Sequence, residues 1–283
     1  MTKYHSIAEI ITDYRKKKDL SQLDLAILLD VDSRTVSRWE KGATLLNPEV
    51  KKCFVERLHI PHQVIHNLNS TFPISIYYDI DNMAYSLNAA GVKVPSAQWL
   101  KSEYPLEDDN VIGLTNATDV EKIEVIQELN GTKRLLPPQL LKESIKAIPE
   151  LNFILKDQSG FYAGHLVVTK LRYEAYEKLR EQKLQDVDIH STDISTKYDT
   201  NPNVFFFYSH KADSLANAYY MMNRLFTFLK NKKFKEYVFV AIEESERNIN
   251  LLKEMGLRQV WQNDKGQTFL EGNFDIFLNM NNA

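Results

Sequence analysis

The chain has 283 residues, 43% hydrophobic and 26% charged, enough for two or three compact units and too apolar for wholesale disorder. Its one cysteine, Cys53, excludes an intrachain disulfide and suits a reducing cytoplasm, and no leader-like segment or membrane-length apolar run of roughly 18 residues is expected to reach a bilayer. The net charge is −3, yet residues 1–70 carry 11 Lys/Arg against 9 Asp/Glu, so a slightly basic start precedes an acidic remainder.

Ile7, Ile10, Ile11 and Tyr14 recur at spacings of three and four, which predicts a helix over about 6–18. Ser21 with Asp24 forms a variant capping box at the start of a second helix, on which Leu23, Ala26, Ile27 and Leu28 are expected to face inward. Asp30-Val31-Asp32 makes the turn, Asp32 or Ser33 caps a third helix, and Gly42 ends it. Val36 and Trp39 then face the core, which leaves Ser33, Arg34, Ser37 and Arg38 outside. Arginine can donate two hydrogen bonds to the major-groove acceptors of guanine, and small hydroxyls fit beside a base or a phosphate.

The run Ser21-Gln22-x-x-Leu25-Ala26, then Val31, then Thr35-Val36-Ser37-Arg38-Trp39-Glu40-x-Gly42 resembles the Cro/C1-type (Xre) helix-turn-helix family. The resemblance implies a five-helix, lambda-repressor-like DNA-binding domain over 1–69. It puts Gln22 on a phosphate, Ser33, Arg34 and Arg38 at base edges, and Thr35 and Ser37 on phosphate or the groove wall. It also pairs Glu40 with Arg15, a structural contact whose breakage would cost about 3 kcal/mol. Trp39 reads as core. Lys16, Lys17 and Lys18 read equally as phosphate-facing or as a solvated run.

Val50, Phe54, Val55 and Leu58 mark a fourth helix, and residues 61–68 a fifth. His62 and His66 have the i,i+4 spacing of a metal pair, but no third ligand stands at motif spacing, so surface histidines are the plainer reading and no metal is expected. Residues 70–117 form a connector with Pro73, Pro95 and Pro105, a strand at 74–80 and a short helix at 96–102. Tyr77, Tyr78 and Tyr85 in it could pack or line a pocket.

From Asp119 the pattern is mixed α/β. Helices are expected to Leu129 and after Pro138, then strands at 152–156 and 163–171 around Asp157-Gln158-Ser159-Gly160. A helix at 173–184 precedes a buried strand at 204–209. A long helix at 214–230 carries Leu215, Ala218, Met222, Leu225, Phe226 and Leu229 on one side. A strand at 237–242, a helix from Ser245 to Gly256, and strands at 257–261 and 267–277 complete the order. That order, with Ser245-x-x-Asn248-x-x-Leu251-Leu252-x-x-Met255-Gly256-Leu257, is similar to the Gcn5-related N-acetyltransferase (GNAT) fold over about 118–278, which implies a GNAT-like domain over 118–283.

The GNAT family cradles acetyl-CoA pyrophosphate on a Gln/Arg-x-x-Gly-x-Gly/Ala loop before a long helix. The corresponding residues here are Lys211-Ala212-Asp213-Ser214-Leu215-Ala216, with Ser214 in a glycine position. Leu252 stands where many members carry a general-acid tyrosine, and leucine has no proton to give. Tyr208, His210, Lys211, Ser214 and Ala216 remain candidate ligand-binding residues, while His165 could be a pocket or an interior residue. Glu243 and Glu244 could act as a base or simply cap the following helix. The expectation is therefore a cytoplasmic regulator that binds a double-stranded operator, acts as a homodimer and responds to a small-molecule or protein effector. The alternative is a DNA-tethered, acetyl-CoA-dependent acetyltransferase.

Overall fold

A computed structural model describes residues 1–87, 108–114, 117–129, 138–198 and 202–275. These residues form two compact units. One contains the described residues up to Leu87 together with Lys156–Ala163 and Ala212–Asn217, and the other contains the rest. The short helix expected at 96–102 lies outside the described residues. Among the described residues, no helix is long and apolar enough to cross a membrane.

The first unit is helical with a small sheet. Helices α1 (Ile7–Lys17), α2 (Gln22–Leu29), α3 (Ser33–Glu40), α4 (Pro48–Leu58) and α5 (His62–Leu68) follow one another. The predicted caps are made: the Ser21 hydroxyl accepts from the Asp24 amide, and the Asp24 carboxylate accepts from the Ser21 amide. Asp30, in the left-handed region at φ 57°, ends α2, and Asp32 caps α3. Strands β1 (Thr2–Tyr4), β2 (Ile76–Asp79) and β3 (Ala84–Ser86) form an antiparallel sheet with β2 in the centre. Strand β1 carries no sequence signal, because three residues are too few for an alternation to be read. Tyr4, Ile76, Tyr78 and Ile80 share one core with Ile10, Leu25, Val36, Trp39 and Phe54, so the sheet is part of the helical unit's interior.

The inward face of α2 differs from expectation. Leu25, Ala26 and Leu29 are buried, whereas Leu23 (60% exposed), Ile27 (69%) and Leu28 (42%) face out. The helix reads QLDLAILL, with apolar residues on every side, so spacing alone cannot choose a face. Its packing against α3 and α4 makes the choice.

The second unit is built on a seven-stranded sheet in the order β4-β5-β6-β7-β8-β10-β9. Its strands are β4 (Val111–Gly113), β5 (Phe153–Lys156), β6 (Tyr162–Leu171), β7 (Asn203–Ala212), β8 (Tyr237–Glu243), β9 (Arg258–Gln262) and β10 (Thr268–Gly272). Its helices are α6 (Ala117–Leu129), α7 (Pro138–Ala147), α8 (Tyr173–Arg180), α9 (Leu215–Lys232) and α10 (Glu246–Glu254). Strands β7 and β8 run parallel, with α9 as the crossover between them, while β8–β10 and β10–β9 are antiparallel. The near-continuous apolar run of β7 suits a strand covered on both faces. Phe205, Phe207 and Phe239 stack across the parallel pair with ring centres 5.0 Å apart. Helix α9 buries Met221, Leu225, Phe226, Phe228 and Leu229, a wider face than the predicted stripe, with Met221 rather than Met222 fully inside.

Candidate nucleic-acid interface

Helix α3 presents the predicted reading residues along one side. Its hold on the unit comes from Val36 and Trp39, which are 0% and 3% exposed, with the Trp39 ring edge-on to Phe54 at 6.0 Å. Burying two such side chains contributes roughly 4–5 kcal/mol towards fixing the helix orientation. At its start the Asp32 carboxylate accepts from the Thr35 amide (2.7 Å) and the Thr35 hydroxyl (2.9 Å). These bonds hold the Asp32 carboxyl below its ordinary value, so it remains an anionic cap at neutral pH. The cap engages Thr35, leaving Ser33, Arg34 and Arg38 exposed and Ser37 half-buried.

The far end of α3 is tied to α1 and α2. Arg15 Nε donates to Glu40 Oε1 (2.6 Å) and Nη2 to Glu40 Oε2 (3.3 Å), while its Nη1 caps the Leu20 carbonyl (3.0 Å). Gln22 Nε2 donates to Glu40 Oε2 at 2.6 Å. Burial alone would raise the Glu40 carboxyl, but hydrogen bonds from Arg15 and Gln22, with the Arg15 charge, outweigh it and hold the group below its ordinary range. Gln22, expected on a phosphate, is thus linked to the helix that carries the predicted base-contacting residues.

The Arg34 and Arg38 guanidinium groups make no ion pair or hydrogen bond to other described residues, and Lys41 one turn further on makes none either. Positions 34, 38 and 41 have i,i+4,i+7 spacing and fall on one helix face. Lys41 was missed in the sequence reading, although that spacing carries it. Lys17, by contrast, pairs with Asp81 at 3.5 Å. The lysine run therefore does not act as a uniform patch. A free cationic stripe flanked by hydroxyls, on a helix with a fixed cap and a buried back, can contact phosphates and guanine edges together.

The other candidate residues lie on β7 and at the start of α9. The β7–β8 ladder runs from Asn203↔Tyr237 to Phe207↔Ala241, yet both strands continue. Tyr208 donates to Gln127 Oε1 (3.2 Å), and His210 Nδ1 stands 3.9 Å from Glu243 Oε1. Ser214 caps α9 by accepting from the Asn217 amide (3.3 Å), and Ala216 lies in the first turn. His165 Nε2 lies 2.6 Å from Ser209 Oγ, and burial lowers the imidazole to about 3. A histidine that resists protonation so strongly makes a poor general base. Ser245 occupies the N-cap position of α10 without a side-chain cap bond, while Glu243 accepts from Asn248 Nδ2 (3.3 Å) and Glu244 from Gln267 Nε2 (2.9 Å). Among the described residues no cluster of three or more His, Cys, Asp or Glu could hold a metal; the His62 and His66 rings stack 6.0 Å apart.

No curated protein matches the chain. The helix-turn-helix family model matches residues 11–50, which hold α2, the turn, α3 and the Arg15–Glu40 tie, so the chain carries a helix-turn-helix unit of the kind found in DNA-binding transcription regulators.

Proposed function

We propose that this chain is a sequence-specific transcription repressor that binds a short duplex operator through α3 as a homodimer. Its second unit would be a GNAT-like domain that senses a ligand. The observation that carries the reading is the unpaired Arg34–Arg38 stripe on a helix clamped at both ends. Arg34 and Arg38 would reach base edges with Ser33. Thr35, Ser37, Gln22 and Lys41 would hold phosphates, Gln22 by exchanging its Glu40 bond or through its second amide hydrogen. Two copies would read half-sites about one helical turn apart.

The GNAT-like part is supported by the element order and the parallel pair with a long crossover helix. Tyr208, His210 and Lys211 on β7, with Ser214 and Ala216 at the start of α9, would contact the ligand, for which an acyl-CoA is the candidate. Sensing fits better than catalysis, because Leu252 is a buried leucine and the interior histidine stays neutral. Enrichment from a random duplex pool should define an operator. Arg34→Ala and Arg38→Ala should each weaken it by about 10- to 100-fold with helicity intact, since a bidentate guanine contact is worth about 1–3 kcal/mol. Unchanged operator affinity would sink the proposal. A melting shift with acetyl-CoA, without acyl transfer, tests the second unit.

A further inference from the structure

Asp213 sits at a junction that the function above does not use. The residue is 7% exposed and lies in the 212–217 segment of the first unit, between β7 and α9. Its amide donates to the Ala163 carbonyl (2.9 Å), its own carbonyl accepts from the Tyr85 amide on β3, and Ser214 bridges Tyr85 in parallel register. Its carboxylate accepts from Asn217 Nδ2 at 2.6 Å. Among the described residues, the ionisable groups that act on it or feel its charge are Tyr78 on β2, Tyr85 on β3, Asp157 in the β5–β6 turn and Tyr162 on β6, none of them a cation.

We propose that Asp213 is a proton-operated latch: its neutral carboxyl keeps the 212–217 segment bridged to Tyr85 on β3, and loss of the proton releases that bridge. A buried carboxylate without a cationic partner is costly, and the bonds that favour the charged form, from Asn217, Ser214 and its own backbone amide, offset only part of that cost. Burial raises the group to about 7, with the Asp157 charge adding to it. The folded value lies above the unfolded one, so the latch's stabilisation is complete at acid pH and declines as pH rises through neutrality. Because β2 shares the core that orients α3, and β3 pairs with β2, release at Tyr85 acts on the sheet bonded into the reading unit.

The test is amide exchange at Tyr85 in the full chain, corrected for intrinsic rate. Protection in the wild type should fall at least tenfold between pH 6 and pH 8. Asp213→Asn keeps the acceptor for Asn217 and cannot ionise, so its protection should be flat. Asn217→Ala removes a bond to the ionised form, so its fall should move to higher pH. A wild-type profile that is flat, or one that Asp213→Asn reproduces, overturns the latch. If Asp213→Asn does not fold, the direction of the Asn217→Ala shift decides alone. A second arm rests on the proposed operator binding: affinity for the enriched duplex should change over the same pH range in wild type only. Absence of any operator would refute that function, while the exchange profiles still decide the latch.

Discussion

Arg15→Ala should unfold the helical unit at a much lower temperature while leaving the second unit's melt in place. The Arg15 side chain is 19% exposed and that of Glu40 9%, so the pair is too shielded to behave as a surface ion pair. Removal strands a carboxylate whose one remaining side-chain donor among the described residues is Gln22, and it also uncaps the Leu20 carbonyl. Breaking a buried pair from one side costs about 3–5 kcal/mol. For a unit of this size, about 3 kcal/mol corresponds to a drop of roughly 12 °C or more. Exchange of α1 and α3 amides against temperature, followed by mass spectrometry on the full chain, isolates this unit from the other. The pH dependence supplies a second check. The Glu40 carboxyl is depressed in the fold, so the pair's stabilisation is present above the unfolded carboxyl value of 4.5 and lost as pH falls through the folded one. The gap between wild type and variant should therefore close on acidification. A loss under about 1 kcal/mol, the size of an exposed pair, or a gap that does not change with pH, would refute the reasoning.

Leu25→Ala should cost about 2–5 kcal/mol and Ile27→Ala less than about 0.5 kcal/mol in urea titrations; equal losses would mean that α2 is rotated from the position described. Gly272→Ala should destabilise the second unit by about 1–3 kcal/mol, because a Cβ there would stand 2.8 Å from the Gly256 carbonyl oxygen and 2.9 Å from Leu257 Cα; an unchanged melt would contradict that contact. Glu271, 2% exposed, accepts from Tyr176 Oη, Arg180 Nε and Arg258 Nη2, and these bonds overcome burial to keep its carboxyl low. Glu271→Gln should therefore lose stability at neutral pH, and the deficit should narrow as pH falls through the depressed carboxyl range, read by thermal melts from pH 7 to pH 3.

The order of elements was legible where local chemistry determines it. Ser21 with Asp24, Asp32 and the strand–turn–strand around Asp157 to Gly160 each satisfy backbone groups within a few residues, and such signals need no partner from elsewhere. The outward face of α3 was legible for the same reason, since Val36 and Trp39 mark its inner side and what remains must face out. The inward face of α2 was not, because a helix apolar on every side takes its orientation from its neighbours. Strand β1 was invisible until β2 supplied its hydrogen-bond partners from more than 70 residues away.

Sequence by itself therefore determined that a capped helix with two outward-facing arginines stands near the start of the chain, and that a mixed α/β unit follows. Tertiary structure decided which side of α2 is buried, that Gln22 and Arg15 converge on Glu40, and that Asp213 is buried beside Asn217 and Tyr85. The difference is physical. Caps and periodic faces arise from interactions across one or two turns, whereas burial, pairing and the cost of a hidden charge depend on residues brought together only by the completed fold.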